Sequence, residues 1–373
     1  MSAERLGALR RRPTARHQCI PRDSGGTSRR GIDSRPSRVQ RSPPLAGSYS
    51  VWQAWFVPTC HVCTSPSFER VISGGRGNLG VNRCKSCGFA YLASWEQSLE
   101  QSEELYDYYG ALGKEDLTRR YSPENSARQQ QLLKALAGYT QRRRLLDVGC
   151  GDGQLLQTAR DEDWDAVGID LSESAILLCH RRDLTASKTD FFDESLDEKR
   201  FDVIVMSELI EHVPSPQRFL KRAEELLAAD GVLYLTTPNF GSLARRMLGE
   251  AWSVIHPEHI GYFERSTLRQ MVSAATTLRE IKIEANNIAP STFVAWLGRR
   301  GPQSGKTTAE VHRETRQGLD QQLRRAVQQS RMLGASKDLL NHAISRAGLG
   351  DTLVAWLQKP PAWDSMSRFV CGP

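Results

Sequence analysis

Four of the eight cysteines fall in two pairs, Cys60-x2-Cys63 and Cys84-x2-Cys87, separated by a twenty-residue loop holding Gly74, Gly75, Gly77 and Gly80. Two such knuckles can present four thiolates to one tetrahedral ion, and the spacing is that of a zinc ribbon. Gly88 follows the second knuckle, where the absence of a Cβ lets backbone amides turn toward sulfur. A disulfide pair or an iron–sulfur cluster would use the same residue type. Nothing in the chain suggests secretion, which disfavours disulfides. A closed four-thiolate site has no open coordination position, so its role is shape and folding rather than catalysis. His61, inside the first knuckle, then reads as a bystander. Cys19, Cys150, Cys179 and Cys371 are scattered and read as unrelated thiols.

A second constellation lies in LLDVGCGDGQLL, residues 145–156, with glycines at 149, 151 and 153 and Asp147 two residues ahead of the first. A dinucleotide fingerprint would need glycine at 154, where Gln154 stands. Glycines in this spacing let a loop backbone touch a ligand, and a helix starting near Gln154 would offer N–H groups to a carboxylate. Asp170, seventeen residues after Gly153, can accept from both hydroxyls of a ribose. Asp190 is placed to accept from an adenine amino group, with Phe191 lining an apolar slot. Singly, each acid reads as a solvated turn residue. Together they converge on the carboxyl ends of strands, where open α/β sheets bind ligands.

The elements that must position these groups are legible from about Leu145, where short apolar runs alternate with amphipathic stretches in the manner of βαβ units. Strands are expected at Leu145–Val148, Asp165–Ile169, Leu184–Lys188, Phe201–Met206 and Val232–Thr236. Helices are expected to begin near Gln154, Glu173, Ser215 and Ser266, with a sharp turn at Asp230-Gly231 before the fifth strand.

With FDVIVMSELIEHVPSPQRFL (residues 201–220), the Asp-x-Gly-x-Gly-x-Gly loop resembles that of class I S-adenosylmethionine-dependent methyltransferases, of the small-molecule kind related to ubiquinone and sugar methyltransferases. The resemblance covers roughly 100–290 and Thr352–Gln358. Its most specific parts are the glycine loop, Glu211-His212, Thr237-Pro238-Asn239 and PEHIGYFERSTL (257–268). A ribbon followed by Tyr106, Tyr108 and Tyr109 also looks like sugar C-methyltransferases. The family implies a doubly wound α/β sheet of seven strands in order 3-2-1-4-5-7-6, the seventh antiparallel. Leu278–Ala285 would be the sixth and Thr352–Gln358 the seventh.

It further implies that Asp147, Gly149, Gly151, Gly153, Asp170, Asp190, Phe191 and Ser207 hold S-adenosylmethionine. His212, His256 and His259 would then flank the acceptor as candidate bases. His212 and His259 each have a plainer reading as a brace for their own loop, His256 is the freest choice of the three, and Glu211 reads as a structural partner. No Asn-Pro-Pro-Tyr motif is present, which argues against nucleobase amino methylation. GPQSGKT at 301–307 has three residues between its glycines rather than the four of a phosphate loop.

Residues 1–50, with eleven arginines against three acids, carry +8, and residues 51–373 carry −1, giving the net +7. That balance counts against nucleic-acid binding by the folded part. No apolar run reaches the ~18–20 residues of a membrane helix, and the chain reads as cytoplasmic. Residues 1–50 read as a disordered basic tail, with a transit peptide or an upstream start site as alternatives. The ribbon is expected at 51–95, a helical cap at 96–140 and the methyltransferase core at 141–290. A helical insertion at 291–348, the final core strand at 349–360 and a tail at 361–373 complete the order. The insertion is a candidate lid, substrate wall or homodimer contact, with a plain structural helix pair as the simpler reading. The expected activity is methyl transfer to oxygen or carbon of a small metabolite, a sugar or a phenolic or quinone-like compound. An RNA methyltransferase with a nucleic-acid-binding ribbon, and a non-catalytic scaffold, are the alternatives.

Overall fold

A computed structural model describes residues 59–74, 79–95, 123–140, 142–286 and 343–361. The basic tail, most of the cap stretch including Tyr106, Tyr108 and Tyr109, and nearly all of the 291–348 insertion lie outside the described residues. The described part belongs to one compact unit, Val57–Pro373.

The larger sheet has seven strands: β4 (Arg144–Val148), β5 (Asp165–Asp170), β6 (Ala186–Lys188), β7 (Phe201–Ser207), β8 (Leu227–Pro238), β10 (Arg279–Asn286) and β11 (Thr352–Gln358). Their spatial order is β10-β11-β8-β7-β4-β5-β6. Read from the β6 edge, this is the expected 3-2-1-4-5-7-6. β4 to β8 run parallel where they pair, and β11 is antiparallel to both β8 and β10. The central strands read as continuous apolar runs because both faces are covered: Val203, Ile204, Val205 and Met206 are all fully buried. Helices α1 (Pro123–Ala137), α2 (Gln154–Asp161), α3 (Glu173–His180), α4 (Pro216–Leu226), α5 (Leu243–Leu248) and α6 (Arg265–Ala275) complete the described α/β part. Among the described residues no helix is long and apolar enough to cross a membrane.

Two strand starts differ from the sequence expectation by more than one residue, each for a local reason. The third core strand begins at Ala186 rather than Leu184, because the Leu184 side chain is used against Cys179 and Ile176 of α3. β8 begins at Leu227, which pairs with Phe201; the register resumes at Val232 opposite Val203. The Asp230-Gly231 turn is thus an outward loop within the strand, with Asp230 at φ +61°.

A smaller antiparallel sheet runs β1 (Phe68–Ile72), β2 (Val81–Cys84), β3 (Ala90–Leu92), β9 (Gly261–Tyr262). Its first three strands form the cysteine-bearing ribbon. Its fourth comes from the segment between α5 and α6, within the connection from β8 to β10 of the larger sheet. Phe89 of the ribbon packs edge-on against Phe263, with ring centroids 5.1 Å apart.

β11 is enclosed between β8 and β10, and its Trp356 is 6% exposed, edge-on to Tyr234 at 5.1 Å. Trp356→Ala is expected to cost about 3–5 kcal/mol, the usual loss for a large buried aromatic. A urea midpoint lowered with an unchanged m value would report that loss.

Candidate functional site

The glycine loop leaves the carboxyl end of β4 with Gly149, Gly151 and Gly153 at φ of +73°, +54° and +76°. These left-handed values strain any residue with a Cβ. At Gly153 space also forbids one: a Cβ would lie 2.8 Å from both Cys179 Sγ and Leu184 Cδ1. The Gly149 and Cys150 amides donate to the Ile169 carbonyl at 2.9 and 3.1 Å. Arg182 donates to the carbonyls of Asp152 and Gly153 at 2.7 and 3.2 Å, fixing the turn into α2. The expected loop-to-helix geometry is present, and Arg182 is a support that spacing gave no sign of.

Asp170 ends β5 half-buried. Its two carboxylate oxygens accept from the Gly151 and Ser172 amides, each at 2.8 Å. Each oxygen keeps a second lone pair for a ligand hydroxyl. Asp147 is 5% exposed, and burial, aided by the charge of Asp170, pushes its pKa up to about 7. Two acids facing one loop favour a ligand that brings positive charge. Asp190 is exposed, and its Oδ1 accepts from the Phe192 amide at 2.8 Å. Phe191 is buried and stacked on Phe219 at 5.6 Å, while the half-buried Phe192 meets Phe219 edge-on at 5.0 Å. Ser207 is exposed at the end of β7.

Beyond Ser207 the chain turns sharply at Glu208, φ +52°. Leu209 then lies over the glycine loop: a Cβ at Gly149 would be 3.3 Å from its Cδ1. The next residues carry the second half of the site. Glu211 is 1% exposed; its Oε2 accepts from Thr237 Oγ1 at 2.9 Å, and its Oε1 has no hydrogen-bond partner. Burial, with the neighbouring Glu208 carboxylate, raises its pKa well above the usual carboxylate value. His212 Nδ1 lies 2.8 Å from the Glu258 carbonyl, and burial lowers the His212 pKa to about 4. The ring is therefore neutral at pH 7, with Nδ1–H donating and Nε2 an acceptor. His259 Nδ1 is 2.9 Å from the Val254 carbonyl.

The three candidate histidines form one cluster. Ring centroids are 4.7 Å apart for His212–His259, 3.7 Å for His256–His259 and 6.5 Å for His212–His256. Ligand atoms of Glu211, His212 and His259 all lie within 4.8 Å of one another. Glu208 and Thr237 belong to this neighbourhood as well. Only the Thr237-Pro238-Asn239 turn hinted at Thr237, and nothing in the sequence marked Glu208.

In the ribbon, Sγ atoms of Cys60, Cys63, Cys84 and Cys87 also lie within 4.8 Å of one another. Cys60–Cys87 and Cys63–Cys84 are 3.7 and 3.5 Å apart. Tetrahedral zinc with ~2.3 Å bonds requires sulfurs about 3.8 Å apart, so the four thiols fit such an ion. Backbone amides of Val62 and Cys63 turn toward the Cys60 sulfur, and those of Ser86 and Cys87 toward Cys84. His61 takes no part in that shell. Its ring lies 5.2, 5.7 and 5.2 Å from those of Phe89, Tyr91 and Trp95, and neither nitrogen has a hydrogen-bond partner.

Residues 115–275 match a family model described as a methyltransferase domain. A ubiquinone biosynthesis O-methyltransferase of Coxiella burnetii is 35% identical over 101 residues, covering 26% of this chain and 43% of the relative. Its counterpart from Bordetella avium is 30% identical over 114 residues, covering 29% and 47%. The chain thus spans less than half the length of the curated relatives it matches. A crystal structure described as a SAM dependent methyltransferase from Archaeoglobus fulgidus is 19% identical, with a TM-score of 0.42, over 66% of this chain and 100% of that one.

Asp147 generates a pH prediction. Its pKa is about 3.8 when unfolded and about 7 when folded, so the fold loses stability as pH rises through that window and is level above it. Asp147→Asn removes the penalty. Its melting temperature relative to the parent chain is expected to climb from pH 4 to pH 7 and then hold constant; a difference independent of pH would contradict the assignment.

Proposed function

We infer that this chain, whose residues 115–275 match a methyltransferase-domain model, moves a methyl group from S-adenosylmethionine to oxygen or carbon of a small metabolite. A sugar or a phenolic or quinone-like compound is the acceptor class. The observation that carries the reading is the meeting of two loops at one sheet edge. The glycine loop follows β4, the Glu211-His212 loop follows β7, and Leu209 lies against Gly149 between them.

In this reading Gly149, Gly151 and Gly153 admit the cofactor to the loop backbone, and the first turn of α2 faces its carboxylate. Asp170 accepts from the ribose hydroxyls, and Asp190 from the adenine amino group. The sulfonium supplies an electrophilic methyl, so alignment is the protein's chief task, worth about 7–11 kcal/mol when complete. His212 Nε2 takes the proton that an acceptor hydroxyl or activated carbon must lose. Glu211, buried beside it, accepts from Thr237 Oγ1 and so fixes the loop that carries His212. His256 and His259 extend the same wall. The four ribbon cysteines hold a structural zinc, with the ribbon assigned to 51–95 and the catalytic core to 141–290.

Incubation of the chain with methyl-labelled S-adenosylmethionine and cell extract should place label in small molecules, insensitive to nuclease and protease. Label confined to nuclease-sensitive material would overturn the acceptor class. His212→Ala is expected to lower kcat about 10²–10⁴-fold, the usual contribution of a general base, with S-adenosylmethionine affinity unchanged. Near-normal turnover would remove His212 from the mechanism.

A further inference from the structure

The ribbon is joined to the candidate catalytic loops by a short, traceable set of contacts. In β3 the Leu92 amide donates to the Ile260 carbonyl at 3.0 Å, and the Ile260 amide donates to the Glu211 carbonyl at 2.9 Å. Ile260 therefore stands between the ribbon edge and the Glu211-His212 loop, one residue beyond His259. Tyr91 pairs with Gly261 and Ala90 with Tyr262. Gly261 has room for no side chain, since a Cβ there would sit 2.9 Å from Phe89 Cζ.

A second link is made by a side chain. Gln217, in the first turn of α4, donates through Nε2 to the Val62 carbonyl at 2.7 Å. Val62 lies between Cys60 and Cys63, and Gln217 lies five residues beyond His212. The first knuckle is held in turn by His61, wedged edge-on among Phe89, Tyr91 and Trp95. This half-buried imidazole, without hydrogen-bond partners, serves as an aromatic wedge beside the first knuckle.

We propose that the metal-loaded ribbon is a positioning element for the acceptor-side histidines, with Gln217 as its side-chain link to the Glu211-His212 loop. The proposal rests on reading those histidines as the acceptor wall. When four thiolates close around an ion, the knuckle fixes the Val62 carbonyl and the β3 edge. Those two anchors hold the start of α4 and residues 256–262. The glycine loop, at the other side of Leu209, shares neither anchor. Metal loading should therefore govern the acceptor half and leave the cofactor half alone.

Hydrogen exchange read by mass spectrometry tests this on the full chain without any acceptor. Metal content is measured first, and the protein is then compared before and after stripping with a chelator and after reloading with Zn²⁺. On stripping, exchange in 208–216 and 256–262 is expected to rise about tenfold or more while 145–156 is unchanged, and reloading should reverse the rise. S-adenosylhomocysteine affinity is expected to stay within about twofold. Should the stripped chain unfold, Gln217→Ala keeps the question open to refutation. It should hold its metal, loosen 209–216 alone, shift the imidazole ¹⁵N signal of His212 and lower kcat without raising the cofactor KM.

Absence of bound metal in the isolated protein would overturn the proposal. So would unchanged exchange in 208–216 in both stripped protein and Gln217→Ala, or equal loosening of the glycine loop. If exchange behaves as expected but S-adenosylhomocysteine fails to bind, the functional reading falls and the coupling stands.

Discussion

The parallel pairing of β4 with β7, Leu145 against Val203 through Val148 against Met206, is the constraint on which the site depends. Parallel neighbours end at the same edge, so the loops that leave them meet there. Here the glycine turn leaves β4, and a left-handed residue, Glu208, leaves β7 and swings Leu209 onto it. A slip of one residue would exchange the inward and outward faces of a strand. The fully buried run from Val203 to Met206 makes that slip costly on both sides of the sheet.

Around that edge the protein tolerates polar groups that a core would normally reject. Asp147 and Glu211 are both buried carboxyls, and burial favours the protonated form of each. His212 is half-buried and kept neutral, with a backbone carbonyl choosing its tautomer. Burying such groups costs stability unless they are paired, and natural sites commonly carry that cost where chemistry is done. The loop amides do the opposite at Asp170, satisfying a carboxylate from two directions.

Much of this was legible in the residues themselves, because the informative features were local. The glycine spacing carries its own backbone geometry, and the apolar runs announce strands whose order the resemblance supplied. The paired cysteines needed only their spacing. What could not be read were contacts between segments far apart in the chain. Arg182 reaching the Asp152 carbonyl, Thr237 meeting Glu211 and the pairing of Gly261 with Tyr91 all depend on tertiary placement. The two-residue β9 is too short to leave a periodic trace. Leu184 was read as strand because apolar character alone cannot distinguish a pleated neighbour from a helix partner.

That short β9 also bears on how the protein can change over evolutionary time. A ribbon that only preceded the core could be lost, exchanged or fused elsewhere as a cassette. This one completes its sheet with Gly261 and Tyr262, borrowed from the chain between α5 and α6. Deleting it would bare a strand edge together with Tyr262 and Phe263, both now buried, and exposed edges of that kind invite aggregation. Ribbon and core are bound to be inherited together, and substitutions on either side of β9 are expected to be compensated on the other.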